Sequence, residues 1–122
     1  MISYRKSKTF EERLTESNKI FAKYPSSIPV IIETYDPLIK KCIKKYKFLV
    51  PENVSASHLL CSIRRQFDLS PSKAIFLFCD NILVNGTIMM SELYNKYKEK
   101  HKKSNDFDKF LYITISTENT FG

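Results

Sequence analysis

The stretch Ile28-Pro29-Val30-Ile31-Ile32-Glu33, followed after a polar interval by Lys44-Lys45-Tyr46-Lys47-Phe48-Leu49-Val50, decides the fold of this 122-residue chain. β-Branched residues fill the first run, which reads as a strand. In the second, Tyr46, Phe48 and Val50 alternate with Lys45, Lys47 and Leu49. That period of two predicts a second strand, pairing with the first, and Pro51 closes it. Pro29 lacks an N–H, so it suits a strand start or an unpaired edge position. Thr34 to Cys42, between the two runs, reads as a loop.

Upstream, Thr9-Phe10-Glu11-Glu12 has the form of a capping box, so a helix starts near Thr9. Phe10, Leu14, Ile20 and Phe21 form its apolar stripe, and Tyr24-Pro25 ends it. Downstream, Ser55 can cap a helix whose Leu59, Leu60, Ile63 and Phe67 follow the 3.6-residue period. Ser70-Pro71 is a turn and Ala74 to Cys79 a buried strand. Asp80-Asn81 turns into a short strand, Ile82 to Val84, and Asn85-Gly86 marks another turn. Ser91 to about Lys100 reads as a helix through Leu93, Tyr94 and Tyr97. Lys98 to Lys109 reads as a charged surface loop, and Phe110 to Ser116 as the last strand.

The order is a helix, then strand-strand-helix-strand-strand-helix-strand. With Leu59, Leu60 and Ile63 on one face of a mixed sheet, the expected class is α+β. It is a ubiquitin-like β-grasp with a mixed four-stranded sheet and an N-terminal helical extension. One domain is expected: an extension over 1–25, a core over 26–116 and a flexible tail over 117–122.

The net charge is +7, from 20 Lys and Arg against 13 Asp and Glu, which favours acidic partners without choosing among them. Three cysteines, Cys42, Cys61 and Cys79, form no C-x-x-C pair, so disulfide scaffolding and zinc are disfavoured and a reducing compartment fits. Met1 to Lys6 has no apolar run behind it and does not read as a secretory signal. The longest apolar run, Ala74 to Cys79, is far short of the ~20 residues of a spanning helix, so membrane attachment would be acquired.

The chain ends Thr120-Phe121-Gly122, and Gly122 is one of only two glycines. Its carboxylate has no Cβ beside it, so an attacking group meets little hindrance.

These segments resemble the autophagy ubiquitin-like modifiers, the group that includes GABARAP and the microtubule-associated light-chain proteins. Carrying the resemblance are Phe10-Glu-Glu-Arg13, the run from Lys23 to Glu33, Lys47-Phe-Leu-Val-Pro51, Ile63-Arg-Arg65, the run from Ala74 to Phe78, Leu93-Tyr94, Phe110-Leu-Tyr-Ile113 and Phe121-Gly122. They stand in the family's order over nearly the whole chain.

The resemblance implies that Gly122 is adenylated, passed as a thioester between cysteines of an activating and a conjugating enzyme, and joined to the amine of phosphatidylethanolamine. A deconjugating cysteine protease would reverse the bond. The chain would be a substrate, not an enzyme, without cofactor or metal. Its place would be the cytoplasm and, lipid-anchored, autophagosomal or related membranes.

The resemblance also implies that the second strand's free edge accepts proteins bearing an aromatic-x-x-aliphatic motif as an added strand. Glu16, Ile20, Pro29, Ile31, Lys47, Leu49 and Phe110 would line the aromatic pocket. Phe48, Val50, Pro51, Val54, Leu59 and Ile63 would line the aliphatic one. Lys45, Lys47 and Arg64 would meet acidic residues flanking the motif. Ser62 stands where the family usually has leucine, which implies a shallower or more polar aliphatic pocket. Phe48 replaces a frequent tyrosine and Gln66 a basic residue. Read from the residues alone, Ile20, Ile31 and Leu49 are equally ordinary core positions.

Other classes have weaker support. His58 and Cys61 lie at i, i+3 on one helix and superficially suggest a Cys-His pair, but no third orienting group is evident. Lys40-Lys41, Lys44-Lys45-Lys47 and Lys98-Lys100-Lys102-Lys103 are basic groups interleaved with aromatics, without a recognised nucleic-acid motif; no nucleic acid is expected as a partner. An adaptor that binds partners but is never conjugated is the third alternative.

Overall fold

The computed structural model describes residues 3–43, 45–67 and 72–118. Ser27–Glu33 (β1) and Lys47–Pro51 (β2) pair antiparallel, with Val30 opposite Phe48 and Ile31 opposite Lys47. Phe76–Cys79 (β3), Ile82–Leu83 (β4) and Leu111–Ser116 (β5) complete a five-stranded sheet in the order β2-β1-β5-β3-β4. β1 and β5 are parallel at its centre and the other pairs antiparallel. The sheet has five strands where four were expected, because the two-residue β4 pairs with Phe78 and Cys79.

Among the described residues five helices accompany the sheet: Tyr4–Ser7 (α1), Phe10–Lys23 (α2), Pro37–Cys42 (α3), Ala56–Gln66 (α4) and Met90–His101 (α5). The Thr9 hydroxyl accepts from the Glu12 N–H while the Glu12 carboxylate accepts from the Thr9 N–H, closing the expected capping box of α2. α2 lies over the sheet face that carries Ile31 and Lys47, and Lys47 bonds Glu16 from below. α4 takes the opposite face, with Leu59 and Ile63 fully buried. Burial of such side chains contributes about 1.5–3 kcal/mol each.

Several expectations are corrected. The interval from Thr34 to Cys42 is not all loop: Asp36 accepts from the Leu38 N–H and Pro37 occupies the first turn, which starts α3. Pro29 lies in an internal strand. Its ring nitrogen is tolerated because β5 begins opposite Val30, one residue later, so no acceptor awaits an N–H at Pro29. Ser55 occupies the N-cap of α4 but makes no capping bond through its side chain. α5 runs to His101, so Lys98 and Lys100 are helical, not in a loop. On α2 the fully buried residues are Arg13 and Ser17, while Phe10, Leu14, Ile20 and Phe21 are half-buried. Lys44, the Ser70-Pro71 turn and residues 119–122 lie outside the described residues. Among the described residues no helix is long and apolar enough to cross a membrane.

Candidate functional site

Among the described residues β2 is an edge strand with one neighbour, β1. The Ile32 N–H donates to the Tyr46 carbonyl at 2.8 Å, and the Glu52 N–H to the Ser26 carbonyl at 3.0 Å. In an antiparallel ladder the bonded residues alternate, so the main chain of Phe48 and Val50 faces β1. The N–H and C=O groups of Lys47 and Leu49 therefore point outward. Such an edge can take an extended peptide as another strand.

The aromatic-pocket residues share one face of this edge. Pro29 stands opposite Leu49 and Ile31 opposite Lys47, which turns all four side chains to the α2 side. Glu16 and Ile20 come from α2 above them and are half-buried. The Lys47 ammonium donates to Glu16 at 2.7 Å, and the Tyr4 hydroxyl donates to the other oxygen of the same carboxylate at 2.7 Å. Partial burial alone would raise the Glu16 pKa; these two donors outweigh it and hold the carboxyl below its usual range. Burial and the Glu16 carboxylate push the Tyr4 phenol far above its ordinary value.

Leu49, 43% exposed, is the most open of the aromatic-pocket residues. Pro29, Ile31 and Phe110 are buried. Tyr4 covers Phe110 edge-on, with ring centroids 5.3 Å apart.

The aliphatic-pocket residues occupy the other face. Phe48 and Val50 point from β2 toward Leu59 and Ile63 on α4, and all four are buried. Pro51 is exposed and Val54 half-buried, so these two form the accessible rim. Ser62 is half-buried, and its hydroxyl donates to the His58 carbonyl at 3.1 Å.

The three cations proposed for acidic flanks differ in their engagement. Lys45 is exposed, its ammonium 5.1 Å from the centre of the Phe48 ring. Lys47 is committed to Glu16. Arg64 donates to the Lys73 carbonyl and so braces the loop leading into β3. Gly122 lies outside the described residues. Nearer the C-terminus among the described residues, the Thr117 hydroxyl donates to the Asp36 carboxylate at 2.7 Å. That bond, with the N–H groups it shares, lowers the Asp36 pKa.

His58 and Cys61 are both exposed on α4. The buried cysteine is Cys79, whose thiol burial pushes up to about 12. Among the described residues no cluster of three His, Cys, Asp or Glu could hold a metal.

Sequence reading misses the clamp that holds α2 to the sheet. Arg13 Nη1 donates to Asp108 at 2.6 Å, and Ser17 Oγ to the Asp108 carbonyl at 2.6 Å. The Phe110 N–H and the Tyr112 hydroxyl also donate to the Asp108 carboxylate. A signal existed: Arg13 stands three residues after Phe10 and one before Leu14, inside the helix's apolar arc. A buried arginine there requires a buried acid.

Comparison with known proteins agrees with this geometry. The family described as Autophagy protein Atg8, ubiquitin-like, matches residues 12–122. Autophagy-related protein 8h of Arabidopsis thaliana is 42% identical over 120 residues, covering 98% of this chain and 95% of that protein. Autophagy-related protein 8 of Schizosaccharomyces pombe is 45% identical over 114 residues, covering 93% and 88%. The crystal structure of Trypanosoma brucei ATG8 superposes with a TM-score of 0.79 at 28% identity, covering 100% of this chain and 99% of that one. The fold is thus an α+β ubiquitin-like β-grasp with helices ahead of its first strand. The chain belongs to the Atg8 family of ubiquitin-like autophagy proteins.

Proposed function

We propose that this protein is a ubiquitin-like modifier joined through Gly122 to the amine of phosphatidylethanolamine, and that at autophagosomal or related membranes it recruits proteins bearing aromatic-x-x-aliphatic motifs. The observation that supports the first half is the family match, which spans residues 12–122. The chain supplies the acyl group and is the substrate of the activating, conjugating and deconjugating enzymes, not a catalyst. It works as one ubiquitin-like unit, moving from the cytoplasm to the lipid surface. Burial of lipid chains is worth ~0.8 kcal/mol per CH₂, so the two chains of a phospholipid make a durable anchor where a single acyl chain is marginal.

The recruiting half rests on the outward main chain of Lys47 and Leu49. A bound peptide would place its aromatic residue against Leu49 and Ile20 and its aliphatic residue against Pro51 and Val54. Lys45 would meet acidic flanks.

Reconstitution with the family's activating and conjugating enzymes, ATP and phosphatidylethanolamine liposomes tests the reading. Mass spectrometry is expected to find the lipid on the full chain and none on a chain ending at Phe121. An unmodified full chain beside an Atg8 control that is lipidated would overturn it.

A further inference from the structure

A second concavity opens on the α2 side of the sheet, over Tyr112 and Thr114 of β5 and the end of β1 at Glu33. Its volume is about 710 Å³, within the ~300–1,000 Å³ common for small-ligand sites. Tyr46, Tyr97 and Tyr112 supply aromatic wall, and Glu33 and Asp80 supply carboxylates. Asp80 is engaged by His101 at 2.9 Å and Lys100 at 3.7 Å. Glu33 is not so matched. Burial raises its pKa against the opposing pull of Arg5, whose Nε stands 3.9 Å away, long for an ion pair.

Arg5 reveals what this wall accepts. Its guanidinium carbon lies 3.6 Å from the centre of the Tyr112 ring, stacked as a cation on an aromatic face. Yet the Arg5 side chain remains 45% exposed, and it lines the cavity without filling it. Lys6 and Lys40 also line this cavity. They would repel an isolated cation and welcome an acid beside it.

We propose that this cavity is a second peptide-binding site, which takes an arginine side chain flanked by acidic residues, and that Arg5 is its resident occupant, displaced on binding. The incoming guanidinium stacks on Tyr112 and bonds the Glu33 carboxylate, while the flanking acids meet Lys6 and Lys40. The site lies beside the β2 edge, with Tyr4 lining the cavity and also bonding Glu16, and it stands whether or not Gly122 is lipidated.

The test is an amide-shift titration of the full chain with the blocked peptide acetyl-Asp-Arg-Asp-amide and its citrulline counterpart, which keeps the shape and loses the charge. Saturable shifts at Glu33, Tyr112 and Thr114 are expected with the arginine peptide, and at least tenfold weaker binding with citrulline. Glu33→Gln, which preserves side-chain shape, is expected to weaken the arginine peptide about tenfold. Arg5→Ala is expected to tighten it at least twofold by vacating the ring. A Trp-x-x-Leu peptide at the β2 edge should bind all three proteins alike. Equal binding of the two Asp-flanked peptides, indifference to Glu33→Gln, or unchanged or weaker binding after Arg5→Ala would each overturn the proposal.

Discussion

Asp108 is 2% exposed, yet it sits between a charged stretch and the last strand, where composition reads as solvent-facing loop. The residue is held inside by four donors, from Arg13, Ser17, Phe110 and Tyr112. Lys109 follows in the left-handed conformation, at φ 73°, which lets Asp108 and Phe110 both turn inward around it. That conformation costs a non-glycine residue roughly 1–2 kcal/mol, which the buried network offsets. Removing one partner of a buried ion pair strands the other charge. Asp108→Ala is therefore expected to lower the unfolding free energy by about 3–5 kcal/mol, measured by urea denaturation. Adding Arg13→Met to it should restore a substantial part of the loss. Local pattern flags Arg13 inside the apolar arc but does not name its partner, because Arg13 and Asp108 stand 95 positions apart.

At the scale of elements, strands and capped helices were the most readable features. The alternation from Lys45 to Val50 assigned the two faces of β2, and the structure sets Phe48 and Val50 inside with Leu49 outside. The capping box at Thr9 located α2. Short elements were harder. α3 is six residues long and has no apolar period to detect; only Asp36-Pro37 marks it. β4, by contrast, reads as Ile82 to Val84, and the structure pairs Ile82 and Leu83 with β3. For the candidate peptide edge, sequence named residues by resemblance, while three-dimensional packing determines which are reachable. Ile31 and Phe110 lie under Tyr4 and α2, whereas Leu49, Pro51 and Val54 meet solvent at least in part. Leu49→Arg is expected to change folding stability by no more than ~0.5 kcal/mol, as for most surface substitutions. It should weaken a Trp-x-x-Leu peptide about tenfold by calorimetry, since the anchor loses its apolar wall.

For the whole molecule, the two halves of the sheet meet through the parallel pair β1 and β5, so the N-terminal arm and the C-terminal strand are parts of one core. Order and spacing of the apolar runs made that architecture legible. The buried polar contacts that seat the arm were not, because they join distant segments. They also make stability depend on pH with two opposite signs. Glu16 has a depressed pKa, so its contribution is complete above the ordinary value of 4.5 and is lost as pH falls through the lower folded value. Glu33 has a raised pKa, so the folded state binds its proton more tightly and gains as pH falls from neutrality. Denaturation of Glu16→Gln and Glu33→Gln across pH 7 to 3 should separate them. Glu16→Gln is expected to be less stable than the native chain at pH 7 and to converge with it at pH 3. Glu33→Gln is expected to be the more stable at pH 7 and to converge likewise.

The bond between Thr117 and Asp36 pins the chain beside the end of β5. Five positions separate Thr117 from Gly122. Fully stretched, such a segment spans at most about 18 Å, at ~3.6 Å per residue. A lipid amine coupled to Gly122 would keep the globule within two nanometres of the bilayer surface, with the downstream ends of β1 and β5 nearest. Breaking the Asp36 knot would add only about one residue, ~3.6 Å, to that reach, because Ser116 is still paired with Phe76 in the sheet.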